Sequence, residues 1–353
     1  MDHRRGDASG LPEFGKKPWL IRFRGTTILL NPFDGRSLDV DLPAVAGSPT
    51  TCLRCFGDWS LMLDEETKDC FLLDLTSLST IPLPPLPEPL PAWPRPGCAL
   101  SSPTTLPDCT VVVVPADYAE FLLYCRPGDE EWSKFSPGND TFLRPMHGSQ
   151  GRIYATSTID SELLVVNVDS AAGVHIEKSD GAADEDADAH LVPCYQLCPV
   201  NGDYLSEWVE SGGDTFLLRM VLRDVDIHRF DASTRSFELV ESVGDRTVFS
   251  AMDSVAVSPA SEAGTEPDCV HLLYPSRADG LRLYTIRLRD RTVTFSLVPT
   301  EDCSLLHWAI PQSLHMKSPK SPGVGTVQPV GALSSKVSSW LMHPPSSFLQ
   351  EHD

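Results

Sequence analysis

The chain has 353 residues, of which 28 are Lys or Arg and 49 are Asp or Glu, and its formal net charge is -21 at pH 7. This length suits one large all-β domain or two smaller domains with buried cores. Contacts to nucleic-acid phosphates need clustered basic residues, so the acidic charge excludes DNA and RNA as main partners and favours a basic protein partner.

The chain begins with a polar stretch, residues 1–17, that predicts a disordered lead. This lead lacks the apolar segment of a secretory signal, so we expect the ten cysteines to be reduced and the protein to lie in the cytoplasm or nucleus. The apolar run Val111–Val114 ends at Pro115, well short of a bilayer span, so no membrane partner is expected.

The first ordered unit begins at Trp19 and ends at Pro43. Two apolar segments, WLIRF and TTILL, precede the sequence NPFDGRSLDVDLP. The pairs Asn31-Pro32 and Asp34-Gly35 are typical of a tight turn, because Pro fixes its own φ angle and Gly tolerates a positive one. This unit is therefore predicted to be a β-hairpin.

Later stretches repeat this plan of strands and turns, namely residues 56–87, 107–135, 151–176, 216–240 and 270–299. The units start roughly 40 to 65 residues apart, a spacing typical of propeller blades. One small antiparallel sheet cannot cover its own apolar faces, whereas sheets packed around a ring cover one another. The sequence therefore predicts an all-β fold, a β-propeller of six or seven blades over residues 18–311, with a two-sheet sandwich as the alternative.

The clearest strand pattern lies in residues 227–299, where turn residues separate short segments of alternating apolar and polar side chains. Alternation with a period of two is typical of half-buried strands. The side chains that follow this pattern are Phe237, Leu239, Leu281, Leu283, Thr285, Val293, Phe295 and Leu297.

A closed ring needs a partner for its first strand, and residues 305–310 form the last apolar segment. We expect this segment to lie beside residues 19–23 in one composite blade. The rest of the chain, residues 312–353, is rich in Pro and Ser and is predicted to be a flexible tail. An acidic loop is predicted at residues 177–190, because residues 179–190 hold five acids and no Lys or Arg.

Several segments resemble the plant KIB-type β-propeller family, long described as a domain of unknown function that follows an F-box. The segments that carry the resemblance are WLIRF with LLNPFDG, CFLLDL with IPLPPLP, FLLYCRPGDEEW, VESVGDRTVF and PDCVHLLYP. They occur in the order found in the family and span most of the chain, from Trp19 to Pro311. The resemblance implies a propeller that acts as a recognition module: in some members a substrate receptor of an SCF-type ubiquitin ligase, in others a kinase-binding inhibitor.

The family's F-box is a helical segment of about fifty residues, and no such segment is evident before Trp19. Binding of a Skp-type adaptor is therefore not expected for this chain. The predicted function is a non-catalytic protein-interaction module that binds a protein partner through loops on one propeller face. A substrate receptor of a ubiquitin ligase is the first alternative, and a propeller hydrolase is the second.

Sequence signals for chemistry are weak. The chain has no G-x-S-x-G or G-x-G-x-x-G sequence and no phosphate-binding loop, so no catalytic residue and no cofactor are predicted. Cys52 and Cys55 form a C-x-x-C without a second such pair, so they are interpreted as core residues and no metal site is predicted. The histidines His147, His228, His271 and His307 show no ligand spacing.

A few charged and aromatic residues remain as candidates. Gly244, Asp245 and Arg246 are interpreted as a structural ion pair at a blade turn, with contact to a partner as the alternative. Ser318 and Ser321 each precede a proline and are candidate phosphorylation sites in the tail. The acids Asp64, Glu65 and Glu66 lie on a predicted turn and are expected to face solvent. Trp59, Trp132 and Trp308 are expected to pack between blades.

Overall fold

The structure is a computed structural model that describes residues 17–309 with gaps in loops. The gaps are residues 25, 41, 43, 44, 46–48, 76, 88, 89, 91–95, 103–108, 116–120, 137–142, 150, 158–162, 170–172, 179–203, 212, 213, 222, 223, 252, 253, 277–279, 299 and 301–305. The predicted lead up to residue 16, the tail at 312–353 and the candidates Ser318 and Ser321 lie outside the described residues. The predicted acidic loop lies outside the described residues from residue 179 onward, whereas its first two residues, Glu177 and Lys178, end a β-strand.

The described residues form six separate antiparallel or largely antiparallel sheets. Sheet 1 has the order β25-β1-β2-β3, and sheets 2 to 5 each take four strands that follow one another in the chain. Sheet 1 comprises β1 (Trp19–Arg24), β2 (Thr26–Leu30), β3 (Ser37–Val40) and β25 (Leu306–Ala309). Sheet 2 comprises β4 (Thr50–Phe56), β5 (Trp59–Asp64), β6 (Cys70–Asp74) and β7 (Thr80–Leu83). Sheet 3 comprises β8 (Gly97–Leu100), β9 (Val111–Val114), β10 (Leu122–Cys125) and β11 (Ser133–Phe135).

The remaining three sheets complete the fold. Sheet 4 comprises β12 (Leu143–Ser149), β13 (Arg152–Ser157), β14 (Leu163–Asp169) and β15 (Gly173–Lys178). Sheet 5 comprises β16 (Tyr204–Ser211), β17 (Asp214–Val221), β18 (Asp224–Asp231) and β19 (Ser236–Val240). Sheet 6 comprises β20 (Arg246–Ala251), β21 (Ser254–Pro259), the one-turn helix α1 (Ala260–Ala263), β22 (Cys269–Ser276), β23 (Gly280–Arg287) and β24 (Thr292–Val298).

The innermost strands of neighbouring sheets contact one another in a closed circle: β4 with β8, β8 with β12, β12 with β16, β16 with β21, β21 with β25, and β25 with β4. Each sheet extends outward from this circle as one blade. The prediction of a β-propeller is confirmed, with six blades in the described part of the chain. The alternative of a two-sheet sandwich is wrong.

The ring closes in sheet 1, which takes strands from both ends of the described chain. Strand β25 pairs antiparallel with β1, with Trp19 opposite Ala309, Leu20 opposite Trp308 and Ile21 opposite His307. This is the composite blade predicted from the sequence. The predicted hairpin lies in the same sheet, where Gly35 has a φ angle of 74° and its amide donates to the Asn31 carbonyl at 2.9 Å.

Sheet 6 departs from the plan of the other five sheets. Its order is β21-β20-β22-β23-β24, and β20 pairs parallel with β22. The chain leaves β21 through α1 and re-enters the sheet at Cys269. Gly264 ends α1 in the left-handed region, with a φ angle of 62°. This crossover adds a fifth strand and forms an exposed corner at one end of the blade.

The core consists of six clusters, each at the joint between two neighbouring sheets. Trp132 and Trp308 pack between blades, as predicted, and Trp59 packs against the cluster between sheets 2 and 3. The Trp132 indole of sheet 3 donates to the Pro84 carbonyl, just beyond sheet 2, at 2.7 Å. Trp308 of sheet 1 packs against Phe249 of sheet 6, with ring centroids 5.2 Å apart. Apolar burial between blades therefore holds the ring together.

Close backbone approach also joins the blades. A Cβ atom on Gly148 of β12 would lie 1.4 Å from the Leu100 carbonyl oxygen of β8. The Gly151 amide, in the turn after β12, donates to the Ser101 carbonyl at 3.0 Å. Sheets 3 and 4 therefore meet at their innermost strands with no room for a side chain at residue 148.

Candidate functional site

The residues singled out by sequence, Gly244, Asp245 and Arg246, lie where sheet 5 passes into sheet 6. Gly244 has a φ angle of 73°, which allows the chain to turn there. Arg246 begins β20, and its guanidinium lies 3.3 Å from the Asp214 carboxylate of sheet 5. The same guanidinium lies 5.6 Å from the centre of the Phe216 ring. The charged contact of Arg246 thus joins two blades and involves Asp214.

Backbone hydrogen bonds fix the corner around this turn. The Ala260 amide of α1 donates to the Asp245 carbonyl at 2.8 Å, and the Asp268 amide donates to the Arg246 carbonyl at 2.8 Å. The Asp268 carboxylate accepts from the Val243 amide at 2.8 Å. The turn and the crossover are therefore held as one unit at the end of sheet 6.

Acidic side chains surround this unit. Glu241, Asp245 and Glu262 are exposed there, while Glu266 pairs with Arg287 through a 2.5 Å contact. The ion pair lowers the pKa of the Glu266 carboxyl, because it holds the charged form. We call residues 241–246 together with 260–268 the acidic corner. It presents carboxylates on a rigid backbone at the end of one blade.

A second candidate lies in the joint between sheets 1 and 2, where Cys52, Cys55 and His307 come together. One Sγ atom from each cysteine and a ring nitrogen of the histidine all lie within 4.8 Å of one another. The two Sγ atoms are 3.7 Å apart. All three residues are buried, and His307 is 0% exposed. The interpretation of His307 as lacking ligand spacing considered chain position alone and missed this juxtaposition.

An irregularity in β4 places both cysteines on one face. In a regular strand, residues three apart point to opposite faces of the sheet. Here the pairing with β5 shifts between Cys52 and Arg54, so that Leu53 is an extra residue. Cys52 and Cys55 consequently face the core between sheets 1 and 2, whereas Leu53 faces the core between sheets 2 and 3.

The pKa values of the two thiols are shifted in opposite directions. Burial is the main cause that raises the pKa of Cys52, and the neighbouring Cys55 adds to it. A hydrogen bond from Cys52 lowers the pKa of Cys55, assisted by His307 and by the Ser60 hydroxyl, which lies 3.2 Å from the Cys55 sulfur. The His307 ring interacts with the Cys55 sulfur, but neither ring nitrogen reaches ordinary hydrogen-bond geometry with a described residue.

The other described cysteines differ from this pair. Burial raises the pKa of Cys70 and Cys98 to about 12 and that of Cys109 to about 11, so these thiols are neutral core groups. Cys109 and Cys269, each of which follows a Pro-Asp pair, are 0% and 1% exposed. The interpretation as core residues thus suits them, while Cys52 and Cys55 also face a buried imidazole.

The hydrolase alternative predicts carboxylates from several blades around the axis. Among the six innermost strands as described, only β16 carries acidic residues, Glu207 and Glu210. Glu65 and Glu66 lie on the exposed turn after β5, where the Asp64 carboxylate accepts from the amides of Glu66 and Thr67 at 2.8 and 3.0 Å. The Asp64 carboxylate therefore stabilises the turn through hydrogen bonds to its backbone.

Comparison with known proteins identifies the family. Residues 29–296 match the KIB1-4 β-propeller family. The chain belongs to this family. The resemblance noted in the sequence is therefore confirmed, and the match contains sheets 2 to 5 and parts of sheets 1 and 6 of the KIB1-4 β-propeller described above. A search of curated proteins found no match.

The solved structures that align with this chain are distant from it in sequence and have low TM-scores. One is the dihydro-heme d1 dehydrogenase NirN, with 10% identity and a TM-score of 0.37 over 83% of this chain and 56% of that chain. YCF48 from Cyanidioschyzon merolae has 9% identity and a TM-score of 0.35, over 82% of this chain and 81% of its own. A chain of a nidogen/laminin complex has 9% identity and a TM-score of 0.40, over 84% of this chain and 99% of its own. The KIB1-4 chain thus spans little more than half the length of NirN.

The described helices include none long and apolar enough to cross a membrane.

Proposed function

We propose that this KIB1-4 β-propeller is a non-catalytic protein-interaction module of the plant cytoplasm or nucleus, and that its acidic corner contacts a basic segment of a protein partner. The acidic corner carries the proposal, because it presents exposed carboxylates on a backbone fixed by hydrogen bonds between its two segments, from Val243 to Arg246 and from Ala260 to Asp268. Fixed groups lose little conformational entropy on binding. The net charge of -21 favours encounter with positively charged partners.

Charge reversal at the corner tests this proposal. The variant Glu241→Lys/Asp245→Lys/Glu262→Lys changes exposed side chains and leaves the backbone hydrogen bonds in place. The full-length chain would be used for affinity purification from plant tissue with identification by mass spectrometry. We expect partners recovered with the wild-type protein to be lost with this variant, and binding to weaken as the salt concentration rises.

A matched variant controls for the change in total charge. Glu66→Lys/Glu130→Lys/Glu131→Lys reverses three exposed acids on turns of sheets 2 and 3, away from the corner. It should retain the partners. If both variants lose the partners equally, the general acidity of the molecule attracts them and the corner is not the interface. If salt leaves binding unchanged, an apolar interface carries it.

The same purification examines the ubiquitin-ligase alternative. A Skp-type adaptor recovered with the full-length chain would support a substrate receptor. Recovery of a basic partner without an adaptor would support the interaction module alone.

A further inference from the structure

The Cys52, Cys55 and His307 cluster stands out from the rest of the core because of its donor atoms. Two thiols and an imidazole converge in a joint that also holds the Ser60 hydroxyl and apolar side chains such as Trp19 and Phe23. Thiolate sulfur and imidazole nitrogen are the donors that Zn²⁺ and Cu⁺ prefer in proteins. The convergence therefore favours a thiophilic metal ion over a hard cation such as Ca²⁺ or Mg²⁺.

The spacing of the sulfur atoms suits such an ion. Two sulfurs bound to one Zn²⁺ at about 2.3 Å with tetrahedral angles lie about 3.8 Å apart. The Cys52 and Cys55 sulfurs are 3.7 Å apart, which is far beyond disulfide length but close to the edge of that tetrahedron. A ring nitrogen of His307 lies within 4.8 Å of both sulfurs.

The histidine supplies an independent observation. His307 is 0% exposed, and beyond the interaction of its ring with the Cys55 sulfur neither ring nitrogen has a hydrogen bond to a described residue. A buried imidazole with so few hydrogen bonds is costly, since it has given up its contacts with water. A metal ion bound through one nitrogen would remove part of this cost.

The bulge in β4 gives a third observation. Without the extra residue Leu53, the two sulfurs would lie on opposite faces of sheet 2. Bulges are local departures from regular pairing that often re-aim a side chain toward a site. Here the bulge brings both sulfurs to the side where His307 lies.

We propose that Cys52, Cys55 and His307 bind a thiophilic metal ion, Zn²⁺ or Cu⁺, in the joint between sheets 1 and 2. The cysteines bind as thiolates and release their protons to solvent, and a three-ligand Cu⁺ site or a Zn²⁺ site completed by the Ser60 hydroxyl or a water fits the donors present. The ion links β25, the strand that closes the ring, to β4 of the next blade. The bound ion therefore stabilises the closed ring.

Metal binding by the full-length wild-type chain is the first measurement. Reduced protein freed of metal by a chelator would be titrated with Zn²⁺, with Cu⁺ under anaerobic conditions, and with Co²⁺ as a spectroscopic probe. We expect about one ion per chain, a rise in Tm with metal, and for Co²⁺ the intense absorption of thiolate ligation. X-ray absorption on the loaded protein distinguishes the Zn²⁺ site from the Cu⁺ site.

Matched variants assign the ligands. Cys55→Ala and His307→Gln should weaken metal binding by at least about 100-fold and abolish the metal-dependent rise in Tm. Cys125→Ala and His271→Gln remove equally buried residues of the same types that face other joints, and they should bind metal as the wild type does. Equal losses in the control variants, or none in the ligand variants, would contradict the assignment.

A measurement on the wild type alone covers the case in which the ligand variants do not fold. Alkylation of individual cysteines, followed by peptide mass spectrometry, should be slower at Cys52 and Cys55 with metal than with chelator, and unchanged at Cys125. Absence of stoichiometric metal, or a Cys52–Cys55 disulfide as the resting state of freshly purified protein, would overturn the proposal.

Discussion

Phe249 and Phe295 belong to the same sheet, yet Phe249 on β20 is 0% exposed and Phe295 on the outermost strand β24 is 56% exposed. Blades extend outward from a common axis, so the gap between neighbouring sheets widens with distance from it. Near the axis a side chain meets the next blade, whereas at the rim it meets water. Leu297 and Leu239 on the outermost strands of sheets 6 and 5 are likewise 49% and 57% exposed.

This contrast shows where the stability of the ring resides. Alternating apolar residues in an outermost strand do not by themselves mean a buried face, because no further layer covers the rim. Phe295 contacts Tyr284 of its own sheet, with centroids 5.8 Å apart, and the Arg282 guanidinium lies 4.6 Å from its ring centre. Those contacts lie within one blade, whereas contacts near the axis join two.

The largest effect is expected at the innermost strands themselves. The variant Gly148→Ala puts a methyl group 1.4 Å from the Leu100 carbonyl oxygen, so sheets 3 and 4 must move apart. We expect a loss of more than about 4 kcal/mol in unfolding free energy, measured by chemical denaturation. In Gly97→Ala, the added Cβ meets only the Val114 Cβ at 3.7 Å, an ordinary contact, and stability should change little. Equal stability of the two variants would contradict close approach at this joint.

A matched pair of truncations compares axis and rim directly. Phe249→Ala empties a space between Trp308 and His271, whose ring centres both lie 5.2 Å from that of Phe249. We expect it to lower the unfolding free energy by about 3 to 4 kcal/mol, since the cavity stays partly unfilled. Phe295→Ala removes a mostly exposed ring and should cost less than about 1 kcal/mol. If the two variants lose similar amounts of stability in thermal unfolding, residues near the axis do not contribute more to stability than residues at the rim.

The buried imidazole of His271 makes the inner region sensitive to acid. Burial lowers its pKa from 6.5 to about 4, with Lys17 and Arg287 also opposing the proton and Glu266 favouring it. The unfolded chain therefore binds a proton below about pH 6.5 that the folded protein takes up only near pH 4. Stability from this group is complete above pH 6.5 and falls by about 3 kcal/mol as the pH drops to 4.

The variant His271→Gln isolates this contribution from that of the carboxylates. Denaturation curves between pH 7 and pH 4 should show a shallower loss of stability in the variant than in the wild type. Parallel curves would mean that His271 titrates as it does in the unfolded chain.

The smallest effect is expected at the partly exposed ion pair between sheets 5 and 6. The side chains of Arg246 and Asp214 are 22% and 44% exposed, so water screens their attraction. Arg246→Gln should cost about 0.5 to 1 kcal/mol, part of it from lost packing on Phe216, and the loss should shrink at high salt. A double-mutant cycle with Asp214→Asn measures the coupling, and a coupling above about 2 kcal/mol would show that this joint behaves like the buried region.

The outer strands of each blade could be predicted from the sequence, and the innermost ones mostly could not. Segments such as CFLLDL and LRLYTIRL show alternating apolar and polar residues or end in clear turns, and they form β6 and β23 in the structure. The innermost strand β8, with the sequence GCAL, is buried at three of its four residues and shows no alternation, so it has few solvent-facing positions to mark the pattern. The innermost strand β12 contains Pro145 and Gly148, residue types that are unfavourable inside strands.

The Cys52, Cys55 and His307 cluster could not be predicted because two tertiary features create it. The bulge at Leu53 re-aims a cysteine, and ring closure brings residue 307 beside a strand near the start of the chain. Ring closure itself was predicted from the apolar segment at 305–310. That prediction places residue 307 beside β1, but nothing in the sequence marks the bulge that turns both cysteines toward it.

Closure through β25 has a consequence for the order of events at the ribosome. Sheets 2 to 5 each consist of consecutive strands, so each is complete as soon as its own segment emerges. Strands β1 to β3 emerge first, yet their sheet waits for residues 306–309 before its inner edge is filled. A nascent chain that stalls before this point leaves β1 with an unpaired inner edge beside the segment that carries Cys52 and Cys55.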